Sequence, residues 1–395
     1  MKKLEKSVPV IRFKGFSEAW EQRKFIEIIN RLSKTSNSSI LPKVEYEDII
    51  AEEGRLNKDI SNKFDSRKGI LFQPKNILYG KLRPYLKNWL YPDFKGVAVG
   101  DFWVFEAIEA TPRFIYNLIQ SDSYQKVAND TAGTKMPRSD WTKVSNSSFF
   151  IPKESSEQKR IGTFFKQLDD TIALHQRKLD TLKQMKKGLL QQMFPKSEED
   201  VPKIRFADFD EEWYQRKLGE EFEKINERND GSFGKTHWIS VAKMYFVEPN
   251  KVLSNNIDTR TYVMRKGDIA FEGHSNTDFK FGRFVANDIG PGIVSELFPV
   301  YRHKTNYDNN YWKNAIQLEH IMAPIYSKSI TSSGNSSNKL DSKHFLNQKI
   351  YIADFEEQEK IGSIFKQLDN TIILYQNKLN KFDILKKAYL QTMFI

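Results

Sequence analysis

Two stretches of the chain concentrate side chains able to hold a polyanion and to pair with the polar edges of bases. Tyr79-Gly80-Lys81-Leu82-Arg83-Pro84-Tyr85-Leu86-Lys87 carries three cations and two aromatics with no acid, at the end of the apolar run Ile77-Leu78-Tyr79. Glu272-Gly273-His274-Ser275-Asn276-Thr277-Asp278-Phe279-Lys280-Phe281-Gly282-Arg283 is longer and richer in amides and hydroxyls. Lysine and arginine suit phosphate oxygens, while arginine and asparagine can also pair with base edges. The candidate contacts are Lys81, Arg83, Tyr85 and Lys87 in the first stretch and His274, Asn276, Lys280 and Arg283 in the second. Thr134, at the end of a turn at Ala132-Gly133-Thr134, is followed by Lys135 and Arg138, and Ser336, Asn338 and Lys339 follow a turn at Ser332-Ser333-Gly334-Asn335. Any one of these positions can be a solvated loop residue, since loops are polar for other reasons. Their clustering is what suggests a DNA-binding surface.

The groups that would make such a surface catalytic are missing. A phosphate loop ending in Gly-Lys-Ser/Thr at its full spacing does not occur, nor does an Asn or Asp followed by Pro-Pro and an aromatic, as an amino-methyltransferase requires. Six histidines lack metal-ligand spacing, and the absence of cysteine removes thiolate zinc sites, disulfides and Cys nucleophiles together. Acid clusters such as Glu52-Glu53 and Glu198-Glu199-Asp200 read as solvated faces. The 62 Lys and Arg exceed 51 acids by 11, which favours an anionic partner. No apolar run reaches membrane-spanning length and no signal peptide is evident, so a soluble cytoplasmic protein without metal, membrane or cofactor of its own is expected.

The elements that position these loops come in two copies. Val8-Pro9-Val10-Ile11-Arg12-Phe13, with Phe16, Trp20 and Gln22-Arg23-Lys24, recurs as Val201-Pro202-Lys203-Ile204-Arg205-Phe206, with Phe209, Trp213 and Gln215-Arg216-Lys217. Glu157-Gln158-Lys159-Arg160-Ile161-Gly162 through Phe194 likewise matches Glu357-Gln358-Glu359-Lys360-Ile361-Gly362 through Phe394. Each glycine turn lies a similar distance ahead, 24 residues from Gly133 to Glu157 and 23 from Gly334 to Glu357, so the duplication extends into the globular regions. Ile77–Tyr79, Val97–Val99 and Phe102–Phe105 read as strands, Thr111-Pro112 as a helix start, and Trp312, Ile316 and Ile321 as one helix.

The long proline-free stretches read as helices, the first opened by a capping box at Ser155-x-x-Gln158. Ile161, Leu168, His175, Leu182 and Leu189 alternate with Phe165, Ile172, Leu179, Lys186 and Met193 at coiled-coil spacing; Ile361, Leu368, Tyr375, Phe382 and Tyr389 alternate with Phe365, Ile372, Leu379, Lys386 and Met393. About 38 residues make a rod on the order of 57 Å, whose stripe needs a partner. The other copy, antiparallel, is one partner; the helix's own globular region is the alternative. The expected fold is α+β: two pseudo-symmetric globular domains separated by two long antiparallel helices, divided as 1–152, 153–195, 196–352 and 353–395.

The Glu-Gln-x-Arg/Lys-Ile-Gly starts, the pairs Leu168-Asp169 and Leu368-Asp369 and the repeated Gln-x-Lys-Leu resemble the specificity subunits of type I restriction-modification systems, and the resemblance covers nearly the whole chain. It implies target-recognition domains that each read half of an asymmetric, interrupted site in double-stranded DNA. It also implies that the helices set the gap and dock two modification (methyltransferase) subunits, which restriction (motor-nuclease) subunits then join. S-adenosylmethionine, ATP and Mg would belong to those partners. A DNA-independent scaffold, in which the helices bind proteins and the basic charge is incidental, is the competing reading.

Overall fold

The structure is a computed structural model that describes residues 7–63, 65–131, 135–196, 201–253, 257, 260–333 and 337–395. Backbone contacts divide the chain into two compact units, Met1–Gln176 with Asn377–Ile395, and Arg177–Gln376. Both mix helices and strands. Among the described residues no helix is long and apolar enough to cross a membrane.

In the first unit the apolar run Phe102–Phe105 lies in a central strand, Phe102–Ala107, of a four-stranded antiparallel sheet ordered Ile29–Leu32, Phe102–Ala107, Ile77–Gly80, Trp89–Leu90. A strand covered on both faces must be apolar at every position, with alternate side chains going to opposite sides. Trp103 and Phe105, with Ile77 and Tyr79, enter one core, while Phe102, Val104 and Leu78 enter the other. Helices Pro112–Leu118, which starts at Thr111-Pro112 as expected, and Asp122–Ala128 bury Phe114, Ile115, Leu118 and Tyr124 in the former.

The second unit repeats this order with Phe222–Ile225, Val300–His303, Ile269–Glu272 and Arg283–Ala286. Ile269, Phe271 and Tyr301 face one core and Ala270 and Val300 the other. The single helix expected around Trp312, Ile316 and Ile321 is two, Asn309–Ala315 and Glu319–Ser329, with Ile316 at the C-cap of the first. Asp308 and Leu318 stand at the two N-caps, and Asp308 accepts the Tyr311 N–H at 2.7 Å.

Each unit is closed by a clasp built from the duplicated motifs. Arg12 donates twice to the Glu157 carboxylate, at 2.7 and 2.8 Å, and the Trp20 indole N–H adds a third bond at 3.3 Å. Arg205 and Trp213 bind Glu357 in the same way, at 2.8, 2.8 and 3.0 Å. Gln158 and Gln358 reach the starts of the neighbouring helices, accepting from Thr111 N and Asp308 N and donating to the Pro152 and Ala353 carbonyls. This use of Gln158 corrects the capping box: Ser155 is already helical, and the Glu154 carbonyl receives the first helical N–H groups. In the second helix the Asp354 carboxylate caps Glu357 N at 2.8 Å.

The long helices run Ser155–Gln192 and Phe355–Met393, 38 and 39 residues. In the first unit Phe164 meets Tyr389 and His175 meets Phe382, so the two stretches run antiparallel there. Ile161 and Phe165 enter the same core as the globular residues and Leu390, Met393 and Phe394, so at this end the stripe is shared between its own globular region and the other helix. In the second unit Ile361 and Phe365 do the same with Met193 and Phe194. Farther along, Leu168, Leu179, Leu182 and Leu379 are buried and Ile172, Leu368, Ile372 and Phe382 half-buried. The lysine interruptions are ion-paired: Lys386 meets Asp169 at 2.8 Å in the first unit and Lys186 meets Asp369 at 2.6 Å in the second.

His303 in the second unit lies between Tyr307, stacked at 3.8 Å, and Phe222 at 4.3 Å, with no hydrogen-bond partner for either ring nitrogen among the described residues. Burial pushes its pKa down from 6.5 to about 3. The unfolded chain therefore takes up the proton first, so this contribution is complete above pH 6.5 and lost as pH falls toward 3. The expected slope is about 1.4 kcal/mol per pH unit. Urea denaturation of His303→Phe between pH 7 and about pH 4.5 should lack that slope; equal pH dependence in both proteins would place the acid sensitivity elsewhere.

Candidate nucleic-acid interface

In each unit the sheet brings together two loops that are far apart in sequence. The segment after Ile77–Gly80 lies against the one before helix Trp141–Asn146: Arg83 N–H donates to the Pro137 carbonyl at 2.7 Å, and Ser139 N–H to Lys81 at 2.9 Å. In the second unit Asn338 N–H donates to the Gly273 carbonyl at 2.9 Å, and the hairpin of Ile330–Ser333 with Asn338–Leu340 stands beside the segment after Ile269–Glu272. Gly273 is required by this approach, since a Cβ there would sit 2.2 Å from the Asn338 carbonyl oxygen.

The individual candidates take different places. Arg138 is exposed and held side-on by Asp101, Nε at 3.3 Å and the terminal nitrogen at 3.0 Å, with Lys81 also near Asp101 at 3.6 Å. The Arg138 guanidinium in turn holds the Asp101 carboxyl below its ordinary range. Arg83 and Lys87 adopt left-handed backbone, φ 48° and 54°, on either side of the short helix Pro84–Leu86, which leaves Tyr85 exposed. Such strain in non-glycine residues concentrates at functional turns. Lys87 is drawn to Glu52 at 3.2 Å, and Glu52 also takes Lys387 from the second long helix at 2.9 Å. Lys135 is exposed; Thr134 and Ser336 lie outside the described residues, as do the glycine turns at 132–134 and 334–335.

In the second unit Lys280 and Lys339 are exposed and Asn338 half-buried. His274 pairs through Nδ1 with Glu272. Asn276 uses its side-chain oxygen on the N–H groups of Asp278 and Phe279, at 2.9 and 3.0 Å, and so builds its own turn. Arg283 lies over the Phe279 ring at 4.8 Å and donates to the Ala242 carbonyl at 2.6 Å, pinning the loop's base to a neighbouring turn. Sequence reasoning missed Asp101 and Tyr46. The Tyr46 hydroxyl donates to the Asp101 carbonyl at 2.5 Å and accepts from Leu82 N–H at 3.0 Å, tying the two first-half loops to one frame. Asp101 lies between two apolar strand runs and Tyr46 between two acids, and neither gave a signal.

Residues 17–184 match the family described as type I restriction modification DNA specificity domain. The fold is similar to that of a type I restriction-modification S subunit from M. genitalium, at 14% identity and TM-score 0.60, covering 98% of this chain and 99% of that chain. It is also similar to a chain from a study of complex assembly and conformational transition of the type I R-M system, at 17% identity and TM-score 0.53, covering 94% of this chain and 96% of that one. No curated protein matches this sequence.

Proposed function

We propose that the chain is the DNA-recognition subunit of a type I restriction-modification complex, because residues 17–184 match the DNA specificity domain of such systems and motifs of that stretch recur in the second half. Each half reads one part of an asymmetric, bipartite site in double-stranded DNA through its paired loops. The long helices set the gap and dock two methyltransferase subunits, to which motor-nuclease subunits add; S-adenosylmethionine, ATP and Mg act in those partners, and this chain supplies no catalytic group. The four segments 1–152, 153–195, 196–352 and 353–395 divide these tasks as two recognition regions and two spacers. The observation that carries the reading is that both halves gather their two sets of candidate residues beside the same strand of the same sheet, within a chain whose first half matches a DNA specificity domain.

The test is co-expression with a type I methyltransferase subunit and genome-wide mapping of methylated bases by long-read sequencing. An interrupted motif that disappears on deletion of this chain, and changes on one side when residues 20–150 are exchanged for those of a relative, is the expected result. Methylation indifferent to the deletion would defeat it. Binding of the assembled complex should also fall steeply with salt, because each phosphate contact contributes a slope of about −0.9 in log K against log salt.

A further inference from the structure

The first recognition surface contains a guanidinium already oriented for one base. Asp101 sits in the turn before strand Phe102–Ala107, where Gly100 takes φ 103°. Its backbone carbonyl accepts from Tyr46 OH at 2.5 Å and from Lys81 N–H at 2.9 Å, so the carboxylate projects from a fixed point. That carboxylate takes Arg138 by Nε and one terminal nitrogen, while the backbone of Arg138 is bridged to Leu82. Arginine has five N–H donors, and a side-on carboxylate uses two of them on one edge. The end-on edge is left free, and the Arg138 side chain is half exposed. Two parallel donors at that spacing match the O6 and N7 acceptors of guanine in the major groove, a pattern no other base presents. A carboxylate at a DNA-facing surface would ordinarily repel phosphates; here Asp101 is offset by Arg138 and Lys81, which makes it an orienter of cations.

We propose that Arg138 reads a guanine in the half-site recognised by the first half of the chain, and that Asp101 is the positioning residue that presents it. This rests on the DNA-recognition reading above and adds the identity of one base. The second unit does not repeat the device among the described residues. Lys339 stands two positions before the helix N-cap Asp341, as Arg138 stands before Asp140, and Arg283 is spent on the Ala242 carbonyl. Lysine has the charge without the planar fork, so the two halves carry different chemistry at the same place.

The experiment maps methylated motifs with the full chain in its methyltransferase complex, comparing wild type with Arg138→Ala, Arg138→Lys and Asp101→Asn. The wild-type motif is expected to hold a required G·C pair in the half governed by residues 20–150. A bidentate arginine–guanine pair discriminates by roughly 5- to 150-fold against other bases. Arg138→Ala and Arg138→Lys should both lose that preference at one position, and Asp101→Asn should weaken it while the other half-site and thermal stability stay unchanged. A purely structural role for Asp101 would lower stability or overall methylation without relaxing one position. The proposal is overturned if that half contains no G·C pair, or if Arg138→Ala lowers methylation evenly with every base preference intact, as loss of a phosphate contact would. If the wild-type complex yields no motif that depends on this chain, the recognition reading itself fails, and the base assignment with it.

Discussion

Glu357→Ala is expected to cost about 3–5 kcal/mol of stability, read as a fall in the urea midpoint at unchanged slope, because it strips a buried cation of its partner. The carboxylate is fully buried and receives both the Arg205 fork and the Trp213 N–H. Without it, the guanidinium, only 14% exposed, and the indole nitrogen keep their desolvation and lose their acceptors. Glu357→Gln should lose less, since an amide oxygen in the place of Oε2 still accepts two of the three bonds, from Arg205 and Trp213. Glu157→Ala should behave alike in the first unit, where the same groups meet at 2.7, 2.8 and 3.3 Å. A loss below about 1 kcal/mol at both positions would mean the clasp contributes no more than a surface ion pair.

The members of this clasp were visible in the sequence as residues, though not as partners. Arg12, Trp20 and Glu157 each have a counterpart in the second half, but 145 residues separate Arg12 from Glu157 and no periodicity connects them. Periodic features were read more completely. The heptad spacing located both long helices, and the unbroken apolar run at Phe102–Phe105 marked a strand buried on both faces. Failures came at helix ends, which the spacing of apolar residues does not mark. The break between Ala315 and Glu319 lies in a stretch of apolar residues at helical spacing, and the expected Ser155 cap gave way to a tertiary contact of Gln158.

The recognition surface was legible at the level of loops and less so at the level of atoms. Residue type alone cannot separate Arg138, whose end-on edge is free, from Arg283, whose terminal nitrogen is committed to a backbone carbonyl. Nor can it separate Asn276, which closes its own turn, from an asparagine offered to a base. Sequence names the donors; the fold determines which of them are already in use.

The repeated lysine on each helix stripe leads to the second large effect. Asp169→Ala should cost about 2–4 kcal/mol, less than a fully buried pair because some solvent reaches it. Asp169 answers two cations, Arg113 at 2.7 Å and Lys386 at 2.8 Å, and the Lys386 side chain is only 10% exposed. Asp369 answers Lys186 at 2.6 Å, with 22% and 28% of the two side chains exposed, so Asp369→Ala should cost only about 1–2 kcal/mol. The ranking follows from how many charges lose their partner, and thermal or urea denaturation of the two variants decides it: Asp369→Ala costing as much as Asp169→Ala would refute it. Replacing Lys186 and Asp369 together by Met and Leu removes both charges and leaves apolar groups of similar length, and should be close to neutral for stability. Near-neutrality would mean that the charges do something other than stabilise. A lysine within an apolar stripe reaches its aspartate on the opposing helix in one register only, so the pair penalises slipped alignments of the two antiparallel stretches.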